Sequence, residues 1–186
     1  MPNVFAFVYA IWFFSEIALN RLMRASAADK QGADKQSLGL IWIIIVAAIT
    51  AGVYVSVRYV LPFYNSSVVN YIGLALMVTG ITLRLLVIRS LGKMFTVNVT
   101  IREGHQLKTD GFYQMVRHPS YTASLLTFIG FGISLNNWMS TIVIVTAVWL
   151  ALSYRIEIEE KVLEEQFGEQ YSNYQNRTKQ LIPFLY

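Results

Sequence analysis

LGLIWIIIVAAITAGVYVSVRYVL, residues 38–61, is a long apolar run whose one charge, Arg58, lies near an end closed by Pro62. A helix crosses roughly 30 Å of hydrocarbon with about 20 such residues, so this stretch predicts a membrane span. Its neighbours repeat the pattern. Residues 4–23 are apolar apart from Ser15, Glu16, Asn20 and Arg21, and VVNYIGLALMVTGITLRLLVIRSL, residues 68–91, holds Arg84 well inside it. Residues 121–135 and 138–156 give a fourth and a fifth span, joined at Asn136–Asn137, a joint short enough to require a tight helical hairpin. The fourth is short for a full crossing, and its Gly130 and Gly132 suit close helix packing.

Composition agrees. The chain has 186 residues, 55% of them hydrophobic and 14% charged, where a soluble domain carries about a quarter charged residues. The expected fold is an all-α, polytopic membrane bundle of five transmembrane helices, a single integral membrane domain over residues 1–186. A net charge of +4, dispersed along the chain, does not argue for nucleic acid. With no cysteine there is no disulfide, cysteine nucleophile or thiolate metal site. Only His105 and His118 represent histidine, so no metal is expected. The N-terminus lacks the basic start and cleavage site of a signal peptide, and residues 4–23 read as a retained span.

The basic residues orient the bundle. Arg21, Arg24, Lys30 and Lys35 surround the first connection. Arg89, Lys93, Arg102, Lys108 and Arg117 lie in or beside the third, and Arg155, Lys161, Arg177 and Lys179 follow the fifth span. The second and fourth connections have none beyond Arg58. The positive-inside bias is met throughout if the N-terminus is outside and the C-terminus cytoplasmic. A multi-pass protein of the inner membrane of a microbe is expected, with membrane lipid around it. Residues 92–120 are too long for an idle connector, and with the tail, residues 157–186, they are expected to form a cytoplasmic cap.

Three groups of polar residues stand out. A charge at membrane depth costs at least about 2.5–3.5 kcal/mol, so Arg84 either snorkels to the boundary or faces an internal polar cavity. For Glu16 an interhelical hydrogen bond or ion pair is expected. Arg155 and Glu159, at i and i+4, share a helix face, either as a surface pair or as a cation and an anion presented to a ligand. Glu157, Glu160, Glu164, Glu165 and Glu169 read as a solvated face. Finally, Arg117-His118-Pro119-Ser120-Tyr121 either starts a helix, with proline tolerated in its first turn, or places polar groups at the threshold of hydrocarbon for a purpose.

RSLGKMFTVNVTIREGHQLKTDGFYQMVRHPSYTASLL (residues 89–126) and, after a span, RIEIEEKVLEEQFGEQYSNYQNRTKQLIPF (residues 155–184) together resemble the isoprenylcysteine carboxyl methyltransferase family. The resemblance runs from Arg84 to Phe184. The ordered motifs LG..F, H.L...G.Y..VRHPSY, R...EE, FG..Y..Y and IPF carry it. Members are integral membrane enzymes that use S-adenosylmethionine. The resemblance implies a cofactor site of His105, Gln106, Leu107, Lys108, Tyr113, His118, Pro119, Ser120, Tyr121 and Glu159. Arg155 would be the catalytic residue that contacts the methyl acceptor, and Arg84 would join it in binding that substrate. Lys108, Phe112 and Ala123 depart from the usual pattern, in which an apolar residue, a proline and a glycine are common.

The implied reaction transfers a methyl group to the carboxylate of a lipophilic acceptor such as an isoprenylcysteine. A carboxylate is nucleophilic at neutral pH, so positioning and exclusion of water carry the catalysis. Other readings stand beside this one: methylation of another lipophilic thiol, amine or acid, a nicotinamide-dependent membrane reductase, or a non-catalytic scaffold.

Overall fold

The computed structural model describes residues 2–22, 37–92 and 106–182. Six α-helices occur among them: α1 (Pro2–Leu22), α2 (Ser37–Arg58), α3 (Ser67–Leu91), α4 (Pro119–Ser134), α5 (Trp138–Phe167) and α6 (Glu169–Gln175). A 3₁₀ turn, Gly111–Gln114, precedes α4. The described part is all-helical, as expected, apart from an isolated bridge between Val116 and Lys179.

Local chemistry sets the helix ends. Ser66 caps α3 by accepting from the Val68 N–H at 3.2 Å, and Asn137 caps α5 by accepting from the Ser140 N–H at 3.0 Å. Each cap satisfies one of the orphan donors of a first turn. Pro119 opens α4, where its missing N–H costs nothing. Gly168, at φ 51°, stops α5 and turns the chain into α6.

Four helices, α1, α2, α3 and α5, are long and apolar enough to cross a membrane. The fourth expected span is different. At 16 residues α4 is only about 24 Å long, short of the hydrocarbon thickness. Its environment explains this: α4 is mostly buried inside the bundle, with Ala123, Leu125, Thr127, Phe128, Gly130, Phe131 and Gly132 all inaccessible.

Small residues let α3 and α4 meet backbone to backbone. A Cβ on Gly130 would lie 2.3 Å from the Met77 nitrogen, and one on Gly80 would lie 2.6 Å from the Thr127 nitrogen. Where hydrocarbon surrounds the helices, such close van der Waals contact replaces the hydrophobic drive that water supplies. Gly132 serves the α4–α5 hairpin in the same way against Thr141, and Gly52 brings α2 against Ile144 of α5. The core gathers Trp12, Met77, Leu125, Phe128, Phe131, Ile144, Val148 and Leu152. α1 attaches through its aromatic residues, with Tyr9 edge-on to Phe131 at 5.1 Å and its hydroxyl 2.6 Å from Ser134 Oγ. Apolar side chains such as Phe7, Phe14, Ile43, Val57 and Leu150 point outward, as a lipid-facing surface requires.

α5 is 30 residues long, about 45 Å, so its last ten or so residues project beyond the hydrocarbon. That projecting end, residues 106–118 and the segment after α6 pack together as a cap over one end of the bundle.

Candidate active site

The cap is laced by backbone and side chain together. Arg117 donates its N–H to Lys179 O at 2.8 Å, and His118 donates to Gln180 O at 3.1 Å. Thr122 Oγ1 donates to Leu181 O at 2.6 Å, and the Tyr174 hydroxyl donates to Tyr113 O at 2.6 Å. The segment before α4 is therefore held by the tail, which the sequence separates from it by three helices.

Glu160 is the knot of this lacing. Its Oε1 accepts from Arg117 Nε at 2.8 Å and lies 3.1 Å from His118 Nε2. Its Oε2 accepts from Gln175 Nε2 at 3.4 Å and Gln180 Nε2 at 3.3 Å. Arg117 further donates to the carbonyls of Gln175 and Thr178. The expectation of a solvated face at Glu160 is thus overturned: its side chain is 14% exposed. Burial pushes its carboxyl up, but His118 and Arg117 outweigh burial and hold it at about 2. Adjacent residues on a helix point about 100° apart, so Glu159 and Glu160 serve different sides.

Glu159 faces inward. It accepts from the Tyr121 hydroxyl at 2.8 Å, and His118 Nδ1 lies 3.8 Å from the same oxygen. The His118 and Tyr121 rings stack with centroids 5.6 Å apart. Arg155, one turn earlier on α5 and 3% exposed, also reaches the Tyr121 hydroxyl. Cation and anion on this face therefore converge on one phenol. Burial, and then the Glu159 charge, push the Tyr113 hydroxyl up. Burial raises Tyr174 to about 12, so both remain protonated donors at neutral pH.

These groups line a chamber of about 250 Å³. Its capped end carries Lys108, Tyr113, His118, Glu159, Tyr171 and Tyr174. Its far leg runs between α1 and α2 past Phe13, Ile41, Trp42, Ile45 and Val46 to Trp12, Ile49 and Phe128. Arg155 lies at the junction. Arg84 and Glu16 also face the chamber as an ion pair: Nε is 3.1 Å from Glu16 Oε1, and Nη2 donates to Oε2 at 3.2 Å. Arg84 Nη1 donates to Ser124 Oγ. Of the alternatives for Arg84, the inward-facing one holds, and Glu16 makes the interhelical ion pair expected of it.

Of the residues that the resemblance implied, Leu107, Lys108, Tyr113, His118, Pro119, Ser120, Tyr121, Glu159, Arg155 and Arg84 all line the chamber. Gln106 is exposed and is not among its walls. His105 lies outside the described residues. Lys108 is also engaged locally, 2.9 Å from Asp110. Sequence reasoning missed Arg117, Glu160, Ser124, Tyr171 and Tyr174, and the walls from α1 and α2. The adjacent Glu159–Glu160 pair was a usable signal for one of these.

The capped end suits a polar, cationic ligand. Glu159 offers a carboxylate there. The Tyr171 hydroxyl, in a residue 1% exposed, lies beside Glu160 at the same end. The start of α4 turns its N-terminal end toward the chamber through Pro119 and Ser120.

Similarity to known proteins points the same way. A profile of the isoprenylcysteine carboxyl methyltransferase family matches residues 71–165. Protein-S-isoprenylcysteine O-methyltransferase B of Arabidopsis thaliana is 37% identical over 119 residues, 63% of this chain and 60% of that protein. Protein-S-isoprenylcysteine O-methyltransferase of Schizosaccharomyces pombe is 30% identical over 131 residues, 69% of this chain and 53% of that protein. A solved structure of a eukaryotic intramembrane Ras methyltransferase, isoprenylcysteine carboxyl methyltransferase, superposes with a TM-score of 0.71 at 26% identity, covering 95% of this chain and 64% of the other. The chain thus spans about 60% of the length of such relatives. The profile match takes in Arg84 on α3, the start of α4 and the Arg155–Glu159 face, and the chain belongs to the isoprenylcysteine carboxyl methyltransferase family.

Proposed function

We propose that this protein transfers a methyl group from S-adenosylmethionine to the carboxylate of a lipophilic acceptor of the isoprenylcysteine type, at the cytoplasmic boundary of a membrane. The observation that carries the reading is one continuous chamber with a polar capped end, an apolar leg and the buried Arg155 between them. When bound, S-adenosylmethionine supplies an electrophilic methyl group on a sulfonium. Glu159 pairs with its ammonium, and Tyr113, Tyr171 and the His118–Ser120 segment surround its polar parts. Leu107 and Lys108 belong to the same proposed site.

Arg155 orients the acceptor carboxylate, and a guanidinium does this well because its fork matches two carboxylate oxygens. Arg84 lies deeper and, with its charge balanced by Glu16, adds a polar wall on the acceptor side. No general base is needed. The protein contributes alignment and removal of water from the nucleophile, which strengthens attack on a cationic centre. The orientation that brings the cap to the cytoplasm follows the basic residues around it.

The test uses the full chain purified in detergent, radiolabelled S-adenosylmethionine, and N-acetyl-S-farnesylcysteine beside its methyl ester and an S-farnesyl amine. Label enters the free acid and not the ester. Transfer to the amine alone, or to none of the three with donor binding intact, overturns the acceptor assignment. Absence of saturable donor binding overturns the cofactor.

A further inference from the structure

Among the described residues, Arg84, Lys108, Arg117 and Arg155 are the lysines and arginines that line the chamber. Three of them are committed to partners inside the protein. Arg84 meets Glu16 and Ser124, and Arg117 meets Glu160 and the carbonyls of Gln175 and Thr178. Arg155, 3% exposed, reaches the Tyr121 hydroxyl. Lys108 differs. Its partner Asp110, 2.9 Å away, is not a wall of the chamber, and the Asp110 side chain is 73% exposed while that of Lys108 is 26% exposed.

An ion pair with one partner in water adds little stability, so a ligand group inside the chamber displaces Asp110 with little loss. Lysine suits such an exchange. Its three donors rotate at the end of a flexible four-carbon stem, and the charge changes partner without movement of the backbone. The backbone here is held: the 3₁₀ turn Gly111–Gln114 follows, and Tyr113 O accepts from the Tyr174 hydroxyl at 2.6 Å. Asp110 is ionised at neutral pH, since its hydrogen bond with Lys108, above all, holds its carboxyl below the ordinary value of 3.8. Glu159, at the same end of the chamber, sets the requirement. Its carboxylate suits the ammonium of an amino acid and repels the carboxylate that accompanies it. A ligand with both groups needs a cation for the second.

We infer that the Lys108 side chain leaves Asp110 and pairs with the α-carboxylate of the methyl donor, while Glu159 holds the α-ammonium. This rests on the proposed cofactor, and assigns the two charges of its amino-acid portion to two side chains. Asp110 then acts as a stand-in for the ligand. It orients the lysine before the donor binds, and competes weakly with the donor for it.

The experiment is calorimetric binding of two ligands to the full chain in detergent. One is S-adenosylhomocysteine. The other is its decarboxylated analogue, S-adenosyl-3-thiopropylamine, which keeps the ammonium and the nucleoside. The natural chain prefers the first. In Lys108→Met, affinity for S-adenosylhomocysteine falls by about fivefold or more, the scale of a hydrogen bond to a charged group discounted for solvent. Affinity for the analogue stays within about twofold, as expected where a contact is absent. Lys108→Arg restores the preference, and Asp110→Asn strengthens S-adenosylhomocysteine alone. Glu159→Ala weakens both ligands alike, because both carry the ammonium. A cap disturbed by substitution also weakens both, so the ratio between ligands reports the carboxylate contact and not the folding. A preference that is absent in the natural chain, or unchanged in Lys108→Met, overturns the inference, and in the second case the carboxylate belongs to the N–H groups at the start of α4. Equal loss of both ligands in Lys108→Met overturns it too. Failure of the natural chain to bind either ligand saturably removes the proposed cofactor itself, a result distinct from binding without dependence on Lys108.

Discussion

Tyr121, in the first turn of α4, donates its hydroxyl to Glu159 near the end of α5 across 2.8 Å. The bond ties the short buried helix to the projecting one at the point where the polar and apolar parts of the chamber meet. It fixes the carboxylate in place before any ligand arrives, which is the preorganisation that tight binding of a cation needs.

Glu159→Ala removes that carboxylate. Donor affinity is expected to fall by about tenfold or more, the scale of a charge-assisted hydrogen bond. Tyr121→Phe keeps the carboxylate but frees its rotamer, so a smaller loss is expected. Calorimetry with S-adenosylhomocysteine on both variants checks the order.

Arg155→Gln keeps a hydrogen-bonding side chain but removes the charge and the fork. Turnover is expected to fall by at least about a hundredfold, with donor affinity within about threefold of the natural chain, because an interaction made with the acceptor is lost. Equal losses in donor binding and turnover would move Arg155 to the donor side.

Glu160 makes the cap sensitive to acid. Its carboxyl is held at about 2, below the ordinary value of 4.5, so its contribution is fully present above 4.5. That contribution is lost as pH falls from 4.5 through about 2, when the folded cap must take up a proton. Protection of the amides of residues 175–181 against hydrogen exchange, taken relative to the intrinsic rate at each pH, is expected to fall down this range in the natural chain. In Glu160→Gln protection is lower at neutral pH and changes less with acid.

The Arg84–Glu16 pair is mostly hidden, at 18% and 21% exposed. Removing one partner leaves a charge without its counterion, at a cost of about 3–5 kcal/mol for a buried pair. Arg84→Met and Glu16→Leu are each expected to lower the melting temperature. The double variant recovers a large part of the loss, since neither charge is then stranded. A double-mutant cycle in thermal unfolding checks the recovery.

Much of this architecture was legible before any coordinate. Residues 38–61 and 68–91 announce themselves because a span has only one composition to offer, and Asn136–Asn137 leaves a hairpin no other shape. The start of α4 and the Arg155–Glu159 face were legible from residue types in a telling order, and they do line one chamber. Glu160 was misread because the sequence shows only that it is charged and helical, and its partners at 117, 118, 175 and 180 come from distant stretches. The walls supplied by Trp12, Ile45 and Ile49 were illegible for a different reason. In a membrane helix a residue facing lipid and one facing a lipophilic chamber obey the same chemistry, so no pattern separates them.

The backbone bonds from Arg117 and His118 to Lys179 and Gln180 also order events in time. Chains are made from the N-terminus, and α1 to α5 can enter the bilayer while translation continues. The pocket gains its roof only when residue 181 has left the ribosome. A nascent or prematurely stopped chain can thus be fully inserted and still lack a closed pocket, so ligand binding waits on synthesis of the tail.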